Sequence, residues 1–143
     1  MSEALNLLKT TLQAHGKSVT AARLTVFKTL QDTESQTMHE LVVACRGEID
    51  RASIYRVIDL FERLGIVQRL QIGWKYKLEL TDTFSHHHHH VTCKRCGQTT
   101  ALPEDEQLEN RLYQITQNLN FLPETHQIEV IGYCANCRTQ KIA

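Results

Sequence analysis

This sequence of 143 residues has no long hydrophobic run and no net charge. No stretch is apolar over the roughly 20 residues that a transmembrane helix needs, so we expect no membrane partner. The 16 Lys and Arg residues balance the 16 Asp and Glu residues, which argues against a partner held by overall charge. Since Met1-Ser2-Glu3 opens directly into a helical pattern, we also expect no signal peptide. We therefore expect a cytoplasmic protein with one domain or two small ones.

The charge balance hides a difference between the two parts of the chain. Through Leu80 there are eleven Lys and Arg residues against nine Asp and Glu residues, whereas the remainder has five against seven. The first part is mildly basic and the second mildly acidic. This asymmetry predicts that any polyanion binds to the N-terminal part.

Two Cys-x-x-Cys pairs carry the strongest chemical signal. They are Cys93/Cys96 and Cys134/Cys137. One pair on each of two distant turns can form a four-thiolate tetrahedron around Zn²⁺. Disulfides are the alternative, but thiols stay reduced in the cytoplasm, so zinc is favoured and a transient redox role stays open.

Five consecutive histidines, His86 to His90, run into the first cysteine pair. A purification tag is terminal whereas this run is internal, so we give the tag interpretation little weight. If the run is extended, His86, His88 and His90 point to one side and His87 and His89 to the other. One segment can then supply ligands to two different metal sites.

The first 65 residues predict four helices joined by short turns. Gly16 ends the first helix, and Thr20 can cap the second. The third begins at a capping box, in which the Thr37 hydroxyl and the Glu40 carboxylate each satisfy a backbone N–H. Cys45 lies on the apolar stripe of this helix, so we expect it to be a buried core residue.

The fourth predicted helix begins at its cap Asp50 and ends at Gly65, and it has two distinct faces. Its apolar residues form one stripe at 100° per residue. The opposite face consists of Ala52, Tyr55, Arg56, Asp59 and Arg63. A small residue, an aromatic and two arginines suit the major groove of DNA, although an ordinary solvated face has a similar composition.

The segment after this helix favours the DNA-binding interpretation. Two alternating runs, 66–72 and 74–80, flank Gly73 and predict a β-hairpin. A helix-turn-helix followed by a hairpin is a winged helix. Arg69, Lys75 and Lys77 of this wing are expected near the DNA backbone.

The last third of the chain predicts a small α/β domain. Residues 99–102 and 127–133 read as strands, with a helix between them. The apolar stripe of that helix consists of Leu108, Leu112, Ile115 and Leu119. About half of the apolar surface of so small a domain lacks a partner within the chain, so we expect a homodimer. Two-fold symmetry in turn predicts a palindromic site on double-stranded DNA.

Several segments in this order and spacing resemble the ferric uptake regulator family over nearly the whole chain. They are Val19-Thr20-Ala21-Ala22-Arg23, Ser53-Ile54-Tyr55-Arg56, Leu64-Gly65-Ile66-Val67, residues 86–97 and residues 132–137. The resemblance implies an α+β protein with an N-terminal winged helix-turn-helix domain, expected over residues 1–82, and a C-terminal α/β dimerisation domain with structural zinc, expected over residues 83–143. It also implies a metal-dependent, homodimeric repressor that binds DNA.

The resemblance implies roles for particular side chains. Tyr55 and Arg56 would read DNA together with Ala52 and Ser53, with Lys17 and Arg23 nearby. Two regulatory metal sites are implied as well. The first would consist of His87, His89, His126 and Glu109. The second would bridge the domains with His88, His90 and Glu79.

The chain departs from the family pattern at this second site. Ser35 and Ala101 stand where a histidine and a glutamate are usual, so the site is short of two ligands unless His39 or His86 substitutes. Sensing would otherwise fall to the first site. Two further choices stay open, namely Glu79 or Asp82 and Glu109 or Glu106.

Imidazole and carboxylate ligands suit Fe²⁺, Mn²⁺, Ni²⁺ or Zn²⁺, and the lack of a sensing thiolate tilts the prediction toward iron or manganese. A peroxide-sensing regulator of the same family has the same ligand set. A zinc-dependent hydrolase or a metal-buffering protein would leave the outward face of the fourth helix unused. We therefore expect a metal-responsive transcriptional repressor of metal-uptake or metal-stress genes, and not an enzyme.

Overall fold

The computed structural model describes residues 2–72 and 74–140 of the chain. It divides into two compact units, Met1–His86 and His87–Ala143. The domain boundary expected after residue 82 falls slightly before this division and stays a prediction. Gly73, the predicted turn residue of the hairpin, lies outside the described residues. Within those residues, no helix combines the length and apolar character needed to cross a bilayer.

Four helices build most of the first unit: α1 (Glu3–Ala14), α2 (Ala21–Asp32), α3 (Met38–Ala44) and α4 (Arg51–Arg63). The predicted caps are all present. The side chains of Thr20 and Asp50 accept the backbone N–H groups of Arg23 and Ser53, respectively. Thr37 and Glu40 form the complete capping box. These caps satisfy N–H groups that the first helical turn leaves without partners, and they set where each helix starts.

The hairpin completes the winged helix. Strands β1 (Val67–Ile72) and β2 (Lys75–Leu80) pair antiparallel, with Val67 opposite Leu80 and Ile72 opposite Lys75. Two backbone hydrogen bonds between Gln36 and Leu78, of 2.9 and 2.6 Å, attach β2 to the segment before α3. The predicted winged helix-turn-helix is therefore confirmed.

One apolar core joins the helices and the hairpin of this unit. Its fully buried members include Leu12 from α1, Phe27 from α2, Phe61 from α4 and Leu78 from β2. Cys45 is 1% exposed within the same core, as the sequence predicted. Because Phe61 lies on the inner face of α4, the opposite face of this helix, with Tyr55 and Arg56, stays exposed.

Among its described residues, the second unit consists of a three-stranded sheet with one α-helix. Strand β3 (His90–Cys93) lies between β4 (Thr99–Ala101) and β5 (Glu129–Gly132). It pairs antiparallel with β4 and parallel with β5. Helix α5 (Glu106–Asn118) lies between β4 and β5 in sequence, and a short 3-10 helix (Arg138–Gln140) follows β5. The predicted strands and helix are confirmed, whereas the parallel pairing was not predicted.

Apolar side chains of the second unit remain exposed in the described chain. No residue of α5 is buried there. Further exposed apolar residues lie beyond the helix and on β5. The exposed members are Leu108, Tyr113, Ile115, Leu119, Phe121, Leu122, Val130 and Ile131. So large an apolar set on one small unit is typical of a protein–protein interface.

Candidate DNA-reading surface and metal centres

The outward face of α4 has the composition expected of a DNA-reading helix. Ala52, Tyr55 and Arg56 are exposed, and Ser53 is partly buried beside them. The Arg51 guanidinium donates to the Tyr55 hydroxyl over 3.3 Å. The structure therefore brings together the four α4 residues that we predicted to contact DNA.

A chain of hydrogen bonds orients Arg56 at the start of this helix. The Ser53 hydroxyl donates to the Asp50 carboxylate over 2.6 Å, and the Arg56 guanidinium donates to the same hydroxyl over 3.3 Å. The hydroxyl and the backbone N–H of Ser53 together lower the pKa of Asp50 below its ordinary value. Asp50 thus stays ionised at neutral pH, where it caps α4 and holds the side chain that positions Arg56.

Arg23 shares a groove with α4. A cavity of about 230 Å³ is lined by Arg23 and Ala22 of α2 and by Ser53 and Arg56 of α4. Arg23 also donates to the backbone carbonyl of Ser18. Two guanidinium groups at one groove form a suitable binding surface for a phosphate group. Lys17 is exposed in the turn between α1 and α2, outside the lining of this groove.

A second groove of about 380 Å³ joins α4 to the hairpin. Tyr55 and Arg56 line one side of it, and Arg69 and Tyr76 line the other. Arg69 makes a two-pronged ion pair with Glu62, at 2.8 and 2.9 Å, and its guanidinium lies 4.3 Å from the Tyr76 ring centroid. Arg69 is therefore engaged within the protein, and its approach to the DNA backbone stays a prediction.

The four paired cysteines converge in the second unit. Their Sγ atoms all lie within 4.8 Å of one another, and those of Cys96 and Cys134 are 3.9 Å apart. A tetrahedral zinc site with Zn–S bonds of about 2.3 Å has S–S edges of about 3.8 Å. The predicted thiolate cluster is thus assembled by the turns that follow β3 and β5, with a spacing that fits Zn²⁺.

The local environment prepares this cluster for a cation. Backbone N–H groups of Cys96 and Cys134 lower the pKa of Cys93 to about 6. A hydrogen bond with Cys134, together with burial, raises the pKa of Cys137 to about 12. The Cys93 thiol is therefore readily deprotonated at neutral pH, whereas zinc binding at Cys137 requires release of its proton.

A second cluster gathers three imidazoles and one carboxylate. His87 and His89 meet Glu109 of α5 and His126, with their ligand atoms all within 4.8 Å. The Nε2 atoms of His87 and His126 are 3.1 Å apart, and His87 Nε2 lies 3.5 Å from a Glu109 oxygen. A tetrahedral ion with bonds of about 2.0–2.1 Å has edges of about 3.3 Å, so this set fits a divalent metal.

Glu109 is held ionised at the centre of this cluster. Burial alone would raise its pKa, but the hydrogen bond from His89 and the neighbouring imidazoles lower it overall. His89 and His126 contact its two oxygens at 2.5 and 2.6 Å. Glu106, the competing carboxylate, lies exposed at the first position of α5 and outside the cluster. Between these two predicted alternatives, the structure therefore favours Glu109.

The remaining predicted ligands occupy both units. His88 and His90 of the second unit have ring centroids 4.6 Å apart, as expected for alternate residues of an extended chain. In the first unit, Glu79 of β2 accepts a hydrogen bond from Gln68 over 2.9 Å. A metal site that joins His88 and His90 with Glu79 or Asp82 stays a prediction.

The positions that depart from the family pattern also lie in both units. Ser35 precedes α3 in the first unit, and its hydroxyl is buried without a hydrogen-bond partner among the described residues. His39 is exposed on α3, and Ala101 is exposed at the end of β4. Their relation to a metal site stays a prediction.

Two functional candidates were missed by the sequence reasoning. Glu62 neutralises the wing arginine Arg69, and Trp74 is fully exposed next to the hairpin turn. The pairing of Glu62 with Arg69 depends on how α4 packs against β1, which has no local sequence signature. Trp74 was assigned to the second predicted strand, whereas β2 begins at Lys75 and leaves Trp74 in the turn.

Comparison with known proteins agrees with this geometry. Residues 14–131 match the Ferric uptake regulator family. The ferric uptake regulation protein of Bordetella parapertussis is 33% identical over 110 residues, 76% of this chain and 77% of its own. That of Escherichia coli K12 is 30% identical and covers 94% of both chains. The Vibrio cholerae ferric uptake regulator structure is 29% identical, with a TM-score of 0.70 over 88% of this chain and 98% of its own. The chain therefore belongs to the ferric uptake regulator family of metal-responsive transcriptional regulators.

Proposed function

We propose that this protein is a cytoplasmic repressor that binds palindromic operators as a metal-loaded homodimer. The observation that carries this proposal is the cluster of His87, His89, Glu109 and His126, a metal-binding set in the same chain as a winged helix. A divalent metal there would supply charge and fixed ligand geometry. The four-cysteine cluster would hold a separate structural Zn²⁺.

The side chains on and beside α4 in the first unit support DNA binding. Tyr55 and Arg56 are exposed on α4, and Arg23 adds a second guanidinium to the groove beside them. A helix of this width fits the major groove, where Arg can contact a guanine edge and Tyr a phosphate. Ala52 leaves room for close approach, while Ser53 holds Arg56. Lys17 and Arg23 would contact phosphates at the edges of the site.

The donor set supports a regulatory metal rather than a purely structural one. The structural site has four thiolates, whereas the second cluster has three imidazoles and a carboxylate. Imidazole and carboxylate ligands bind Fe²⁺, Mn²⁺ or Zn²⁺, whereas a closed set of four thiolates is typical of structural Zn²⁺. His88, His90 and Glu79 are proposed as a second regulatory set.

The exposed apolar residues of the second unit support dimerisation. Ile115 on α5 and Ile131 on β5 are 43% and 54% exposed in the described chain. Burying such a surface against a second copy would remove it from water. A dimer also presents two copies of α4 with two-fold symmetry, which is the reason to propose a palindromic operator.

The enzyme and metal-buffer alternatives explain fewer residues. Either would account for the metal ligands, but neither requires Tyr55 and Arg56 on an exposed helix face. A regulator uses both units.

The test is metal-dependent binding to a duplex selected from a random pool by the metal-loaded protein. A chelator that leaves the cysteine-bound zinc in place should abolish binding, and added Fe²⁺ or Mn²⁺ should restore it. In His126→Ala, added metal should no longer restore DNA binding, because the substitution deletes one of four ligands. His15→Ala, which replaces an exposed histidine of the first unit, is the matched control. Equally tight binding of the stripped and loaded protein would contradict the proposal.

If His88→Ala and His90→Ala abolish the metal response while His126→Ala does not, the regulatory role moves to the second proposed set. Zinc content and the dimer should be unchanged in all three variants. This comparison identifies which histidines carry the signal.

A further inference from the structure

The hairpin turn carries an exposed aromatic side chain that the proposed function does not use. Trp74 is the one tryptophan of the sequence and is 91% exposed. The Lys75 ammonium lies 5.9 Å from the centroid of its ring. A single exposed aromatic does not by itself indicate a partner. The charge around Trp74 and its position relative to α4 provide the further argument.

The hairpin is cationic. Residues 67–78 include Arg69, Lys75 and Lys77 and contain no Asp or Glu. Glu62 of α4 neutralises Arg69 near the base of the hairpin. Lys75, in contrast, lies beside Trp74 next to the turn. An apolar ring next to an ammonium group matches a ligand that presents both apolar edges and negative charge.

The hairpin also continues the surface proposed to read DNA. Tyr55 and Arg56 share a groove with Arg69 and Tyr76. Trp74 precedes Tyr76 by two residues, toward the hairpin turn, and two residues of extended chain span about 7 Å. With α4 in a major groove about 12 Å wide, a side chain that extends this surface by about 7 Å is placed to meet a bordering phosphate strand.

We propose that Trp74 is a DNA-contact residue of the wing. Its ring packs on the deoxyribose edges at the rim of the minor groove, and Lys75 pairs with the adjacent phosphate. This inference rests on the proposed function. Deoxyribose edges are the same in every DNA sequence, so this contact adds affinity without reading bases. It depends on the width of the minor groove, while α4 reads the bases.

The first test uses Trp74 as its own probe, because the chain has no other tryptophan. Fluorescence of the metal-loaded protein is measured while the selected duplex is added. We expect a change in emission on binding and strong protection from acrylamide quenching. Anionic lipid vesicles, and protein alone at increasing concentration, serve as parallel samples in which we expect no protection.

The second test compares substitutions. Trp74→Ala should weaken binding to the selected duplex and to a random duplex by a similar factor, about ten-fold, because it removes the buried ring area. Trp74→Phe should retain most of the affinity, since it keeps an aromatic ring. Arg56→Ala should instead weaken the selected duplex more than the random one and so reduce discrimination. Circular dichroism and zinc content check that each variant is folded.

The outcomes separate the inference from the function on which it rests. Metal-dependent binding with full acrylamide access to Trp74 in the complex would overturn the inference and leave the proposed function standing. Failure of the metal-loaded protein to enrich any duplex would overturn both. Protection by vesicles, or by protein concentration alone, would assign the hairpin turn to a lipid surface or a second copy and would also overturn the inference.

Discussion

At the scale of single residues, identical side chains acquire different chemistry from their neighbours. Cys45 is a buried core residue, whereas Cys93 has its pKa lowered to about 6 by two backbone N–H groups. His89 donates a hydrogen bond to Glu109, while His15 lies exposed at the end of α1. Residue type alone therefore does not identify a ligand, and the surrounding donors and acceptors do.

Replacing one thiolate tests the structural role of the cysteine cluster. Cys96→Ser should remove the zinc and unfold the second unit, because binding at a structural zinc site contributes directly to folding free energy. The measurements are elemental analysis and thermal unfolding. Cys45→Ala is the matched control, since it removes a thiol from the first unit and should leave the zinc content unchanged. Normal zinc content and melting temperature in Cys96→Ser would contradict the assignment.

At the scale of elements, α4 combines a structural end and a functional face. Asp50 caps the helix and accepts a hydrogen bond from Ser53, which in turn accepts one from Arg56. The cap and the DNA-reading side chain are thus parts of one network. A change in the cap should alter both the stability of α4 and the position of Arg56.

The lowered pKa of Asp50 predicts a pH dependence for this cap. A depressed folded pKa contributes stability above the unfolded value, near 3.8, and loses it as pH falls through the folded value. Wild-type protein should exceed Asp50→Asn in urea midpoint by the same margin at about pH 7 and about pH 5, and the margin should shrink only below about pH 4. Asn is itself a good helix cap, so the comparison isolates the charge. A margin that falls between pH 7 and pH 5 would show that another group is responsible.

At the scale of the whole molecule, the two units differ in how they bury apolar residues. The first has a continuous core that includes Phe27 and Phe61, both fully buried. The second leaves most of the apolar side chains of α5 and β5 exposed in the described chain. This difference supports a second copy of the chain as the partner that completes the second unit.

A charge placed in the exposed apolar surface tests this prediction. Ile131→Glu should shift the protein from dimer to monomer, because dimerisation would bury an unpaired carboxylate. Sedimentation velocity measures the change. Val43→Glu makes a comparable substitution at an exposed apolar residue of α3 and should leave the dimer intact. A dimer that survives Ile131→Glu would place the interface elsewhere.

Much of this protein was predictable from local sequence. Thr20, the Thr37–Glu40 box and Asp50 predicted the starts of three helices, because a cap needs only residues within one turn of each other. The alternation of the histidine run predicted that His87 and His89 share a side, which follows from the two-residue period of extended chain. The two Cys-x-x-Cys pairs predicted their own cluster.

The tertiary structure decided what depends on distant parts of the chain. The choice of Glu109 over Glu106 follows from how α5 packs beside His89, and both carboxylates lie on the same helix. The ion pair of Arg69 with Glu62 and the parallel pairing of β3 with β5 likewise join segments whose contact no local pattern specifies. Local patterns determine helix ends and strand faces because they involve neighbouring backbone groups, whereas packing selects which of several equivalent side chains reaches a site.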